Sequence, residues 1–344
     1  MFLYAVDAAT RVVGESCVMR ARVHARTDGH RHRVGSLPRL GMAPLILALV
    51  ATLWGCVSLR PFEEIQHDPE VGEFVVVKGQ RVHVEIRGQG EPLVLVHGIG
   101  GSTYTWRLVT PQLSRRFRTV AIDLNGFGYT ERPTAKEAYS RTGQLDLLTG
   151  VMDALGIDSA HFIGHSYGGG LVLTLAHQRP ERVRSIVAVD SATPEWSATG
   201  RRKHRFAAPV VPLYVRSRLL QPGHIASALR RSFYNDALVD PDLVESYRER
   251  LRVEGVSRTF RNLARPHGES EDLKEVPLEE IHQPILLLWG REDQVIVVDE
   301  GRKAAARMAR SRFVVLPECG HLPMEEQPAA FLAAVEAFLI PLGD

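Results

Sequence analysis

Gly164-His165-Ser166-Tyr167-Gly168 follows one apolar run, Ala160-His161-Phe162-Ile163, and precedes another, Leu171-Val172-Leu173-Thr174-Leu175-Ala176. The first run reads as a short buried strand and the second has helical spacing. A G-x-S-x-G pentapeptide between a strand and a helix forces a tight turn that lifts the serine hydroxyl above the sheet edge. Glycine is required there because a Cβ would collide with the neighbouring strand and helix as the backbone bends. Ser166 is thus a candidate nucleophile. The competing reading is a plain glycine-rich turn.

Three further motifs decide between the two. Upstream, Pro92-Leu93-Val94-Leu95-Val96 is an apolar strand ending in His97-Gly98-Ile99-Gly100-Gly101. Downstream, Ile285-Leu286-Leu287-Leu288-Trp289 ends in Gly290-Arg291-Glu292-Asp293, and Phe313-Val314-Val315-Leu316 runs into Pro317-Glu318-Cys319-Gly320-His321. The order is Ser166, Asp293, His321. On these motifs residues 72–344 resemble the α/β-hydrolase superfamily, and within it the capped serine esterases, monoacylglycerol-lipase-like enzymes and their cofactor-free relatives.

The fold class this implies is α/β: a doubly wound, mainly parallel sheet with an inserted helical cap. Residues 73–77 and 81–86, joined by Lys78-Gly79-Gln80, read as an opening hairpin. The second arm alternates apolar and polar, which predicts one solvated face. Apolar strands follow at 93–96, 119–122, 160–163, 185–189, 285–288 and 313–316, with helical stretches between them, as in a parallel sheet covered on both faces. Active sites of such sheets lie at the carboxyl ends of the strands. The alternation stops over 191–283, which read as the cap. The core therefore divides into 72–190 and 284–344.

Composition is that of an ordinary soluble globular chain, with 24% charged residues and a net charge of +2. The charge is unevenly placed. Residues 1–59 hold seven Arg and three acids, which leaves the remainder net acidic and argues against a nucleic-acid enzyme. Three cysteines, Cys17, Cys56 and Cys319, are too few and too scattered for a disulfide framework or a zinc site. No metal or cofactor motif is present: no Lys-Ser/Thr follows Gly168-Gly169-Gly170, so a phosphate loop is excluded.

Residues 40–59 carry no charge. A helix of that length spans about 30 Å, enough for a hydrocarbon core. Arg31, Arg33 and Arg39 precede it, and Leu53-Trp54-Gly55-Cys56 resembles a bacterial lipoprotein signal box, except that Trp54 stands where a smaller residue is usual. Residues 1–60 are therefore expected to be a targeting segment, either an export signal lipidated at Cys56 or a retained anchor, with 61–71 as a linker. Membrane association follows from either. From 201 to 231 the cap has eight Arg or Lys and no acid. That composition suits an anionic membrane face, but equally a helical cap with solvated arginines.

Ser166 needs a base, for which His321 is placed, and the resemblance assigns Asp293 to orient the imidazole. Asp190, directly after the sixth core strand, is the rival acid, and Glu292 is the neighbouring one. The backbone N–H groups of Tyr167 and Ile99 are the expected oxyanion donors. His97 reads as a brace for its loop, His165 as packing near the elbow, and Cys319 as an inert buried thiol. Asp123-Leu124-Asn125-Gly126-Phe127-Gly128 resembles the superfamily's D-x-P-G-x-G turn with Asn125 in place of proline, and Asp123 reads as structural.

Serine at the elbow argues against dehalogenases and epoxide hydrolases, which use aspartate there. The expected activity is hydrolysis of a small-molecule carboxylic ester, with lipid or acylglycerol esters included, through an acyl-enzyme on Ser166 without a cofactor. The alternative is carbon–carbon bond hydrolysis of the meta-cleavage type. A non-catalytic ligand-binding homologue is the alternative from another class. The intact Ser, Asp and His set argues against it.

Overall fold

The computed structural model describes residues 57–193, 215, 219–263 and 276–343. Eight strands form one sheet in the order β1-β2-β4-β3-β5-β6-β7-β8. They are β1 (Glu73–Val77), β2 (Gln80–Arg87), β3 (Glu91–Val96), β4 (Phe117–Ile122), β5 (Ala160–His165), β6 (Val183–Val189), β7 (Ile285–Gly290) and β8 (Ser311–Leu316). β2 pairs antiparallel with β1 and β4, and every other pairing is parallel. All the expected strands are present. Several run one or two residues further than their apolar cores, because backbone pairing does not stop where hydrophobic side chains do.

The apolar runs explain the layering. Leu93, Val94, Leu95 and Val96 are all fully buried, so β3 is covered on both faces. The main helices around the sheet are α1 (Arg141–Ala154), α2 (Tyr167–Gln178), α3 (Pro222–Ser232), α4 (Pro241–Leu251), α5 (Val256–Leu263), α6 (Val298–Arg307) and α7 (Pro328–Gly343). α2 packs on β5 and β6, and α6 on β7 and β8. Helix starts carry their caps: the Ser140 hydroxyl accepts from Gly143 N at the head of α1, and Asp240 accepts from Leu243 N before Pro241 in α4. The described residues between β6 and β7 form helices and connecting turns. They include α3, α4 and α5, and most of 194–218, with six of the eight basic residues of 201–231, lies outside the described residues.

Three expectations need correction. β1 and β2 are joined by two residues, Lys78 (φ 49°) and Gly79 (φ 86°), with Val77 opposite Gln80. That is the backbone of a tight hairpin with both central residues left-handed. The polar face of β2 is not solvated at His83, which is 1% exposed between Val82 and Val84. Its ring is paired on both nitrogens and covered by Phe74 and Tyr129.

Residues 61–71 supply one of those partners, Val71 O, and are packed into the fold rather than forming a linker. Phe62–Ile65 forms a helical turn, Ile65 is fully buried, and Ile65, Val71, Tyr129 and Val253 make a second small core. Arg60 forms a parallel bridge with Val253 through Arg60 N to Arg252 O (2.7 Å) and Glu254 N to Arg60 O (2.9 Å). The fold thus begins at or before Val57, which is itself buried in the main core. Residues 1–56, with Cys56, lie outside the described residues. Among those that are described, no helix is long and apolar enough to cross a membrane.

Candidate active site

β5 ends at His165 and α2 starts at Tyr167, so Ser166 alone makes the turn, with φ 52° and ψ −118°. Such a conformation costs a non-glycine residue about 1–3 kcal/mol and needs support from its surroundings. Support comes from Ser166 N donating to Val189 O (2.9 Å) and from Ala192 N and Gly170 N donating to Ser166 O (3.0 and 3.2 Å). The close approach also explains two glycines. A Cβ on Gly168 would sit 2.3 Å from Val96 O, and one on Gly98 would sit 2.9 Å from the Cβ of Ser166.

His321, in the loop after β8, donates from Nδ1 to Asp293 Oδ2 at 2.7 Å. Asp293, three residues past β7, also accepts from Val295 N (2.6 Å) and Ile296 N (3.1 Å) at Oδ1. Three donors fix one carboxylate, and that carboxylate fixes the imidazole tautomer with Nδ1 protonated. Glu292 turns the other way and accepts from Cys319 N. Asp190, fully buried with φ 42°, accepts from Gly290 N at Oδ1 (3.0 Å). It offers no oxygen that contacts the imidazole by a hydrogen bond. Burial, followed by the neighbouring charge of Asp293, holds the Asp190 carboxyl well above the usual carboxylate range.

Ser166 and His321 line one pocket at the carboxyl ends of β3 and β5, together with Ile99, Tyr167, Tyr247 and Leu322. Tyr167 is the first residue of α2, and amides of a first turn point out of the helix end. Ile99 leaves β3 in a loop braced as expected by His97. Its Nδ1–H donates to Gly98 O (2.7 Å), while Nε2 accepts from Leu124 N (3.1 Å). Asp123 anchors the next step of the loop by accepting from Thr103 N (2.7 Å), and it also takes Tyr129 N (2.8 Å) and His83 Nδ1–H (2.7 Å). Asn125 replaces the motif's proline with useful polarity. It accepts from Gln80 and donates to Ala138 O, tying the turn to β2 and to the chain before α1.

His165 does more than pack. Its Nε2–H donates to His321 O at 2.8 Å, and the two rings lie 4.8 Å apart. Burial, then the His321 ring, pushes its pKa well below the ordinary imidazole value, so it stays neutral beside the candidate base. Burial likewise pushes the Cys319 thiol up, away from reactivity.

One group had no signal in sequence. Tyr247 of α4 donates to buried Glu325, which also receives Arg107 Nη1 at 2.5 Å, and Thr105 Oγ1 lies 3.5 Å from the tyrosine hydroxyl. Thr105 and Tyr247 form the polar end of the pocket. Their partners lie up to 218 residues apart, a separation no local pattern reveals. The described groups that could offer ligand atoms to a metal are Asp190, Asp293 and His321, and hydrogen bonds already engage all three.

A strand–elbow–helix serine, an acid after β7 and a histidine after β8 on this sheet order match a known model. Residues 91–328 fit the family model described as alpha/beta hydrolase fold. The chain belongs to that family. Among its alpha/beta hydrolase relatives, a 2-hydroxymuconate semialdehyde hydrolase of Pseudomonas sp. (strain CF600) is 32% identical over 277 residues, covering 80% of this chain and 95% of the relative. A 2-hydroxy-6-oxo-2,4-heptadienoate hydrolase of Pseudomonas putida is 29% identical over 278 residues, covering 78% and 96%. A solved meta-cleavage product hydrolase from Pseudomonas fluorescens IP01 superposes with a TM-score of 0.66 at 27% identity, covering 80% and 99%. The expectation that this alpha/beta hydrolase is an enzyme, and a hydrolase, holds.

Proposed function

We propose that this enzyme hydrolyses a carbon–carbon bond in a ring-fission product of the meta-cleavage type, with Ser166, His321 and Asp293 as its catalytic set. The observation that carries this is the 32% identity to a 2-hydroxymuconate semialdehyde hydrolase across nearly the whole of that relative. In this reading His321 takes the Ser166 proton as the oxygen adds to the keto carbon, and Asp293 stabilises the imidazolium. The Ile99 and Tyr167 amides hold the oxyanion, an interaction worth about 3 kcal/mol per donor. Ketonisation of the dienol first puts a proton on the carbon next to the keto group, so that the carbon–carbon bond breaks with its electron pair delocalised into a dienolate. His321 returns the Ser166 proton to the dienolate, and water, deprotonated by His321, then releases the acyl group from Ser166 as a carboxylic acid. Helices α3 and α4 act as the cap: Leu229, Ser232 and Tyr247 face the nucleophile.

Ester hydrolysis by the same groups is the second reading, and one observation favours it. Among the described lining residues there is no Lys or Arg to meet a substrate carboxylate. In the first reading that cation has to come from outside these described lining residues. Side-by-side assay with 2-hydroxymuconate semialdehyde and p-nitrophenyl butyrate separates the two. The dienoate chromophore should bleach with the higher kcat/KM, and rapid ester turnover with no bleaching would overturn the assignment. For residues 40–59 the reading is membrane targeting. The full chain should sediment with membranes, Cys56→Ser should abolish lipid labelling if that cysteine is the acceptor, and recovery of the intact chain in the soluble fraction would refute it.

A further inference from the structure

Two buried carboxyl groups sit together behind the imidazole, and only one of them is used by the mechanism. Ligand-capable atoms of Asp190, Asp293 and His321 all lie within 4.8 Å of one another, and both acids are essentially inaccessible to water. Three donors converge on Asp293: Val295 N, Ile296 N and His321 Nδ1–H. Asp190 has one, Gly290 N, and its Oδ2 meets no N–H or hydroxyl. What that side chain does meet is the carboxyl of Asp293, within hydrogen-bonding reach once one of the two is protonated. Like charges that close cannot both persist in a dry site, so the pair shares a proton. The donor count places the negative charge on Asp293. Among the described residues no cation is prominent beside Asp190. The other titratable groups facing it are Glu326, which adds negative charge, and Cys319, a neutral thiol.

We propose that Asp190 is a positioning residue for the triad: a carboxylic acid that keeps its proton at neutral pH and donates it to Asp293. This rests on the reading of His321 as the base oriented by Asp293. The fourth donor fixes the last free edge of the Asp293 carboxylate, so the rotamer that meets Nδ1 is held from both sides. A second consequence concerns loss of Asp293. Asp190 then still lies within 4.8 Å of the imidazole, relieved of its like-charged neighbour, and it ionises to serve as a substitute partner.

Both consequences are tested on the full-length protein by the rate at which a fluorophosphonate labels Ser166, which does not depend on the natural substrate. Asp190→Asn preserves an acceptor for Gly290 N and a donor for Asp293, and asparagine tolerates the left-handed backbone at this position. It should label within about threefold of wild type, a barrier change under about 1 kcal/mol. An ionised triad acid changed to its amide would instead cost about 10⁴. Asp293→Ala should retain a residual rate at least about tenfold above that of the Asp190→Asn/Asp293→Ala double variant, since residues acting as a unit are non-additive. The infrared difference between wild type and Asp190→Asn at neutral pH should show one carboxylic-acid C=O stretch lost, a signature that a merely structural residue would not give. A rate for Asp190→Asn as low as that of Asp293→Ala, a double variant no slower than Asp293→Ala, or an absent acid band would each overturn the proposal. Failure of wild-type Ser166 to label would sink the serine-nucleophile reading instead, and the infrared band would still report on Asp190.

Discussion

Removing the Asp123 carboxyl by Asp123→Ala should destabilise the whole domain and slow the chemistry of a serine it does not touch. Asp123 is fully buried and accepts from Thr103 N, Tyr129 N and His83 Nδ1–H. Burial alone would raise its pKa, but the charge and hydrogen bond of His83, with His97 and the Tyr129 amide, together outweigh this and hold the carboxyl below its usual value. The variant therefore strands two amides, at about 1 kcal/mol each at the low end, and a buried charge whose lost partner is worth about 3–5 kcal/mol. The expected loss of about 5–7 kcal/mol is half or more of the stability of many domains. Thr103 closes the loop that carries Ile99, so the proposed oxyanion donor should drift as well. A urea titration followed by tryptophan fluorescence measures the first effect, and fluorophosphonate labelling of Ser166 in buffer measures the second. Asp123→Asn, which keeps an acceptor oxygen, should fall between the two proteins on both scales. A loss below about 1 kcal/mol, under the cost of even one stranded donor, or wild-type labelling by Asp123→Ala would refute the reasoning.

His83 donates to Asp123 and faces Val71 O at 2.6 Å, so both ring nitrogens meet acceptors and the imidazolium is favoured. Burial pushes its pKa down, Asp123 pushes it up, and the net direction is up. Its contribution to stability is therefore full below about pH 6.5, the unfolded value, and is lost as pH rises through the higher folded value. Urea midpoints should decline over that alkaline window, and His83→Asn should flatten the decline. Tyr247→Phe removes the donor to Glu325. It should cost about 1–3 kcal/mol and raise KM through loss of the pocket's polar end, as thermal melts and steady-state kinetics would show. Gly98→Ala forces a Cβ to 2.9 Å from that of Ser166 and should lower kcat by about 10²-fold through misplacement, with little change in the urea midpoint.

Much of the site was legible because its parts are local. Ser166 needs glycines next to it in sequence, Asp293 and His321 each lie a few residues beyond an apolar strand, and those strands announce themselves through continuous burial. The polar contacts were not legible for the opposite reason. His83 alternates with valines and reads as solvent-facing, yet Asp123, 40 residues on, takes it inside. Arg107, Tyr247 and Glu325 converge from β3's following loop, α4 and the turn before α7, with no spacing rule to link them. Residues 61–71 looked like a linker because they are polar and carry two prolines. Ile65 and Val71 are too few to make a periodic signal, but they are enough to seat the segment.

That seating gives the molecule a short mechanical path. Arg60 is tied to Arg252 and Glu254 through the backbone and to Glu249 through its side chain, while Arg252 Nε reaches back to Ser58 O. The grip is on the last turn of α4, the helix whose Tyr247 overlooks Ser166. Tension in the preceding chain is thus delivered to the roof of the pocket rather than dissipated in slack. Trimming the chain at residue 56 leaves this handle attached, whereas trimming at 71 would remove it together with Val71 O, the acceptor beside His83 Nε2.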